Sequence, residues 1–153
     1  MTTIQIPESI DNLTLNIQQE IHVRASVEAT FEALLEEVGA NNQGPDGTPI
    51  PMKLEAWPGG RWYRDLGDNN GHLWAHVQAI KRPTLLEFTG PLFASFPFPS
   101  NVQYRLTETD GGTLITFHHY ALGYVQPEHK ANASKGWAWI LERTRKHAEG
   151  IRK

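Results

Sequence analysis

PEHKANASKGWAWILERTRKHA (residues 127–148) sets Ala133, Trp137, Ile140, Leu141, Thr144 and Ala148 on one stripe at helical spacing. A stripe of this kind marks a long amphipathic helix with one face meant for burial. The basic side chains of its far end, Arg143, Arg145 and Lys146, with Arg152 and Lys153 beyond, stand where cations complement a helix macrodipole. The chain before it has to supply the surface that this stripe covers.

That surface reads as a sheet. From Leu13 to Val23 the odd positions, Leu13, Leu15, Ile17, Gln19, Ile21 and Val23, alternate with Thr14, Asn16, Gln18, Glu20 and His22. Period-two alternation predicts a strand with one wet face. Ser26 is placed to cap a helix, Glu28 falls in its first turn, and Val27, Phe31, Leu34, Leu35 and Val38 recur at helical spacing before Gly39. Residues 40–51, rich in Asn, Gly and Pro, read as a loop. Six short segments follow: MKLEAW (52–57), RWYRDL (61–66), HLWAHVQAIK (72–81), TLLEFT (84–89), VQYRLTE (102–108) and TLITFHHYAL (113–122). Turn residues separate them, so neighbours pair antiparallel. The expectation is an α+β fold, a curved seven-stranded antiparallel sheet around a long C-terminal helix. A space can remain between the two.

The chain has 153 residues, the size of one domain, with 39% hydrophobic residues and 20% charged. Disorder is excluded by that mixture. The expected organisation is a tail over residues 1–11 and a single domain over 12–153. With no cysteine, disulfides and thiolate chemistry are excluded. No apolar run is long enough to span a bilayer, and MTTIQIPESIDN lacks the features of a secretion signal, so the cytoplasm is the expected location. Residues 1–126 carry a net charge of −7 and residues 127–153 one of +4. The acidic majority repels phosphates, and no nucleic-acid partner is expected.

Taking the more apolar parity of each strand as inward gives Met52, Leu54 and Ala56; Trp62 and Leu66; Leu73, Ala75, Val77 and Ala79; Leu86 and Phe88. The later strands add Val102, Tyr104 and Leu106, then Thr113, Ile115 and Phe117. Alanines on the central strand leave volume, and a few polar groups, Gln19, Arg64, Tyr104 and His119, share the inward parity. A mostly apolar hollow with sparse polar groups is what small-molecule sites look like. The alternative is an ordinary core in which large neighbours fill the space beside the alanines. Phe93, Phe96 and Phe98 in the Pro-rich loop 90–99 form either a lid, a protein contact or a plug. Trp74, on the outward parity, and Trp57 leave room for a homodimer surface.

Chemistry is sparse. His72 and His76 lie about 13 Å apart on a strand and His118 and His119 face opposite sides, so no metal site is expected. No Gly-x-Ser-x-Gly elbow and no phosphate-cradling loop occurs, and no cofactor is expected. A general acid/base role for His119, with Tyr104 or Arg64 polarising an oxygen, stands beside the commoner reading of a satisfied, partly buried histidine.

IHVRASVEATFEALL (21–35), the Pro-Gly-Gly-Arg turn (58–61), AHVQAIKRPTLLEFT (75–89), GGTLITFHH (111–119) and the Gly136-Trp137…Leu141 helix together resemble the SRPBCC superfamily. Within it they are most similar to the bacterial domains named after the activator of Hsp90 ATPase (AHSA1-like). The resemblance implies the helix-grip fold, also called Bet v 1/START-like, and a cavity for lipids, sterols, polyketides or other apolar molecules. Some relatives have become cyclases, aromatases or hydrolases. The chain departs from the family in residues 40–51, where a Gly/Pro-rich insert replaces a segment that usually carries tryptophan. The leading expectation is a binding module for a small hydrophobic ligand. Trp62, Val77, Phe88, Tyr104, Phe117 and Trp137 would form its walls, and Arg64 and His119 its polar anchors. An enzyme using His119 ranks second, and an Hsp90-type chaperone partner last.

Overall fold

Among the described residues the elements run in the order β1 (Thr14–Val23), α1 (Val27–Val38), β2 (Lys53–Leu54), β3 (Arg61–Gly67), β4 (Asn70–Lys81), β5 (Leu85–Gly90), β6 (Ser100–Thr109), β7 (Gly112–Leu122) and α2 (Pro127–Ala148). They come from a computed structural model that describes residues 13–95 and 97–151. The expected tail over 1–11 and Phe96 of the aromatic loop lie outside the described residues. Every strand joins one antiparallel sheet in the order β1-β7-β6-β5-β4-β3-β2, and the sheet curves around α2 in the helix-grip arrangement.

Local chemistry explains the element ends. Ser26 Oγ accepts the Ala29 amide at 3.1 Å and starts α1. At its other end Gly39 is required for space, because a Cβ there would stand 2.8 Å from the Leu35 carbonyl oxygen. Proline at the first position of α2 costs no intrahelical bond, and Arg145, Lys146 and His147 occupy its last turn. Ala133, Trp137, Ile140, Leu141 and Thr144 of α2 are buried, as the stripe predicts.

Two irregularities in β4 overturn part of the expected parity. Trp62 lies opposite Ala75 while Tyr63 lies opposite Leu73, so Trp74 is an extra residue in its strand. The bulge turns Trp74 inward, onto Trp62 at 5.1 Å between ring centroids, and sends Leu73 out to solvent. Leu66, expected inside, is likewise exposed: it is the extra residue of β3 between the pairs Asp65–Gly71 and Gly67–Asn70. Between Val77 and Ala79 the register slips again. Ala79 then opposes Glu87 on the outer face, and Ile80 takes the inward place opposite Leu86. β2 is only Lys53–Leu54, because Glu55 turns back to hold Arg61. No helix among the described residues is long and apolar enough to cross a membrane.

Candidate ligand-binding cleft

The residues expected to wall a hollow between sheet and α2 pack against one another. Trp62 stacks on Phe88 at 4.4 Å and donates its indole N–H to the Val38 carbonyl at 2.7 Å. Tyr104 meets Phe117 at 4.9 Å, and Phe117 meets Trp137 at 5.0 Å. Val77 is buried beside them. The deep space is thereby filled with aromatic rings. Tyr104 Oη is buried without a hydrogen-bond partner, and desolvation pushes its phenol well above the usual tyrosine range.

His119, also fully buried, is committed at both nitrogens. Trp137 Nε1 can only donate, so His119 Nδ1 must accept, at 2.9 Å. The proton therefore sits on Nε2, which donates to Ser100 Oγ at 2.9 Å. Burial, with a smaller contribution from His129, pushes the imidazole pKa down to about 4. A neutral ring whose one acceptor nitrogen is already taken has no lone pair for substrate or for Ser100. This geometry is that of a core brace.

Arg64 is placed far from His119. It lies opposite His72, half-buried, on a strand four positions across the sheet from β7. With Arg61, Asp65 and His72 it lines a polar depression at the β3–β4 hairpin. The two expected anchors do not face one ligand atom.

A different space is open at the rim of the grip. It is a cleft of about 240 Å³ lined by Asn42, Gln43, Gly44, Pro45 and Ile50 of the first loop, Trp74 of the β4 bulge, Phe93, and Asn132, Ala133, Gly136, Trp137 and Ile140 of α2. Of the eight expected site residues, only Trp137 borders it. Phe93 faces Trp74 at 5.6 Å and His129 at 5.1 Å, whereas Phe98 is a buried plug. The loop is held in place by its own bonds: Ile50 N to Asn42 O at 2.8 Å, Gly44 N to Thr48 O at 3.0 Å, and Met52 N to Gly39 O at 3.0 Å. Asn42 is buried, and its Nδ2 donates to the Ile50 carbonyl at 3.0 Å. Asn42 Oδ1 and Gln43 Oε1 are both buried with no donor. Each such orphan costs about 1–3 kcal/mol.

Trp74, Asn42 and Gln43 were not legible as site residues. Trp74 depends on a bulge, and the only local signal is Gly90, where a Cβ would collide with the Trp74 carbonyl and with Ala75. The expected Trp74–Trp57 surface is dissolved by the same bulge; Trp57 alone is exposed. A larger depression of about 650 Å³ near the end of α2 is lined by Glu37, Glu142, Arg143, Lys146 and His147 among others. Its charges are mixed and largely paired with one another: Glu37 binds both Arg143 and His147. No group of three or more His, Asp or Glu side chains gathers as a metal site among the described residues.

Residues 24–149 match the family described as activator of Hsp90 ATPase homolog 1-like protein. Among solved structures, an uncharacterised protein of Rhizobium leguminosarum superposes with a TM-score of 0.69 at 17% identity, covering 90% of this chain and 95% of that one. Ara h 8.0201 gives 0.67 at 13% identity, with 90% of this chain and 99% of that one covered. The di-domain ARO/CYC protein StfQ of the steffimycin biosynthetic pathway gives 0.64 at 14% identity, with 92% of this chain and 52% of that one covered. No curated protein matches the sequence.

Proposed function

This chain belongs to the activator of Hsp90 ATPase homolog 1-like family, and from that premise we propose that it is a binding module for a small, largely apolar aromatic molecule seated in the rim cleft. The observation that carries the reading is the convergence of Trp74, Phe93 and Trp137, from three separate segments, on one mostly apolar space. Aromatic walls with few polar groups are the usual make-up of small-molecule sites. At about 240 Å³ the cleft lies just under the roughly 300–1,000 Å³ common for drug-sized ligands, which favours small rings over sterols or long acyl chains.

An acid/base enzyme built on His119 would need an accessible ring nitrogen with a free lone pair, and Nδ1 already accepts from Trp137. The chaperone-partner reading draws only on the family's name.

The test is a thermal-shift screen, backed by native mass spectrometry, of one- and two-ring aromatics against sterols and fatty acids. The aromatics are expected to raise the melting temperature by a few degrees at concentrations well above Kd. No stabilising compound in either set would overturn the proposal.

A further inference from the structure

Arg64 is a half-buried arginine with no partner. Arg143 and Arg145, the other half-buried arginines among the described residues, each hold a carboxylate. Arg64 makes no ion pair or hydrogen bond among the described residues, and neither does the half-buried ring of His72 opposite it. A guanidinium partly withdrawn from water and left without an acceptor is costly, and its planar fork fits a carboxylate.

The register says which way the two side chains face. β3 alternates without interruption from buried Trp62 to Arg64, because the extra residue of the first shift, Trp74, lies in β4. Arg64 and His72 therefore share the concave face with Trp62 and Trp74, one row closer to the hairpin turn. As cross-strand partners they stand about 5 Å apart. His72 is two residues, about 7 Å, along the strand from Trp74, which is a wall of the rim cleft. Nearby carboxylates are turned away or taken. Asp65, on the outer face, is bonded to Lys53, and Glu55 holds Arg61 on that same face. Asp68 stands in the turn, about 10 Å farther along the hairpin.

A cavity of about 150 Å³ holds one benzene ring, so the cleft of about 240 Å³ has room for a ring and the start of a tether. We propose that Arg64 and His72 receive the carboxylate of an aromatic acid whose ring rests against Trp74 in the rim cleft. Arg64 supplies the charge and a two-pronged donor, and a ring N–H of His72 supplies a further one. This inference rests on the rim cleft being the binding site.

Titration calorimetry on the full chain tests it with 3-phenylpropanoate and 4-phenylbutanoate, each against its primary amide, which keeps the size and removes the charge. At low salt each acid is expected to bind about tenfold tighter than its amide, equivalent to about 1.4 kcal/mol. Arg64→Gln is expected to abolish that ratio while the amides bind as before, and His72→Ala to shrink it several-fold. Arg64→Lys, which keeps the charge without the fork, should restore part of it. Acids and amides binding equally to the wild type overturn the anion receptor and leave the cleft standing. A ratio undiminished in Arg64→Gln overturns the assignment to this row. Acetate binding as tightly as the aromatic acids overturns the coupling to Trp74. No binding by any probe overturns both this inference and the cleft.

Discussion

Trp137 and His119 are joined by a 2.9 Å bond from the indole N–H to imidazole Nδ1, across the seam between α2 and β7. One face of the indole borders the rim cleft while its N–H is tied to the core. A ligand arriving there meets a wall whose rotamer is already chosen, so little side-chain entropy is lost on binding. The same bond makes His119 a receiver in the core.

That arrangement predicts an acid-labile fold. The folded-state pKa of His119, about 4, lies below the ordinary histidine value of about 6.5. Between those two values the unfolded chain binds a proton that the folded chain refuses. Its contribution to stability is complete above about pH 6.5 and is lost as pH falls toward 4. Each pH unit in the window is worth at most about 1.4 kcal/mol. Urea unfolding at pH 7 and pH 5 is expected to show a loss of about 1–2 kcal/mol in the wild type. His119→Asn, whose Oδ1 can still accept from Trp137 but which does not titrate, should lose less over the same interval. Equal losses would mean that other groups govern the acid limb.

Gly136 sits within α2, where a Cβ would meet nothing within 4 Å and the residue borders the cleft. Gly136→Ala should therefore stabilise the helix by about 0.5–1 kcal/mol, since glycine in a helix interior gives up more backbone freedom. Gly136→Leu should keep that gain while occupying cleft volume. The expected pattern is a melting temperature at or above wild type, together with loss of the ligand-induced shift. A Gly136→Leu protein that binds as before would place the ligand elsewhere.

The fold was readable because its signals are periodic. The alternation from Leu13 to Val23 and the stripe from Ala133 to Ala148 each repeat over many residues, so a single exception does not erase them. Trp62, Phe88, Tyr104 and Phe117 were correctly read as inward for the same reason, and burial of all four agrees. The rim was not readable. One inserted residue reverses every later side chain of a strand, and neither the slip at Trp74 nor that between Val77 and Ala79 leaves a mark in the alternation. Apolar parity also says which side chains point inward without saying whether they meet. Here they do, and the rim cleft lies at the edge of that packing, between the insert 40–51 and α2.

Gly90 is the residue that lets the bulge exist. Its backbone lies so close to β4 that a Cβ would overlap the Trp74 carbonyl and the Ala75 backbone. Backbone cannot step aside as a flexible side chain can. Gly90→Ala is expected to cost about 1–3 kcal/mol in denaturant unfolding. It should also disturb the contact of Trp74 with Trp62 and Phe93, read as a change in the near-ultraviolet circular dichroism. Unchanged stability would show that β4 can relax without the glycine.

The two helices are fastened by a carboxylate in their shared seam. Glu37 is 4% exposed and accepts from Arg143 Nε at 2.9 Å and from His147 Nδ1 at 3.0 Å. His147 also reaches Glu36 at 3.2 Å through its other nitrogen. Removing one member of a buried pair strands the other, at a cost of about 3–5 kcal/mol when fully enclosed. The Arg143 side chain keeps 16% exposure, and His147 still faces the carboxylate, so Arg143→Ala is expected to cost less, about 1–3 kcal/mol. Glu37→Gln, which keeps the shape without the charge, should cost less again. Combining it with Arg143→Ala should lose less than the sum of the two, because the stranded charge is gone. Additive losses in that double-mutant cycle would show that Glu37 and Arg143 contribute independently.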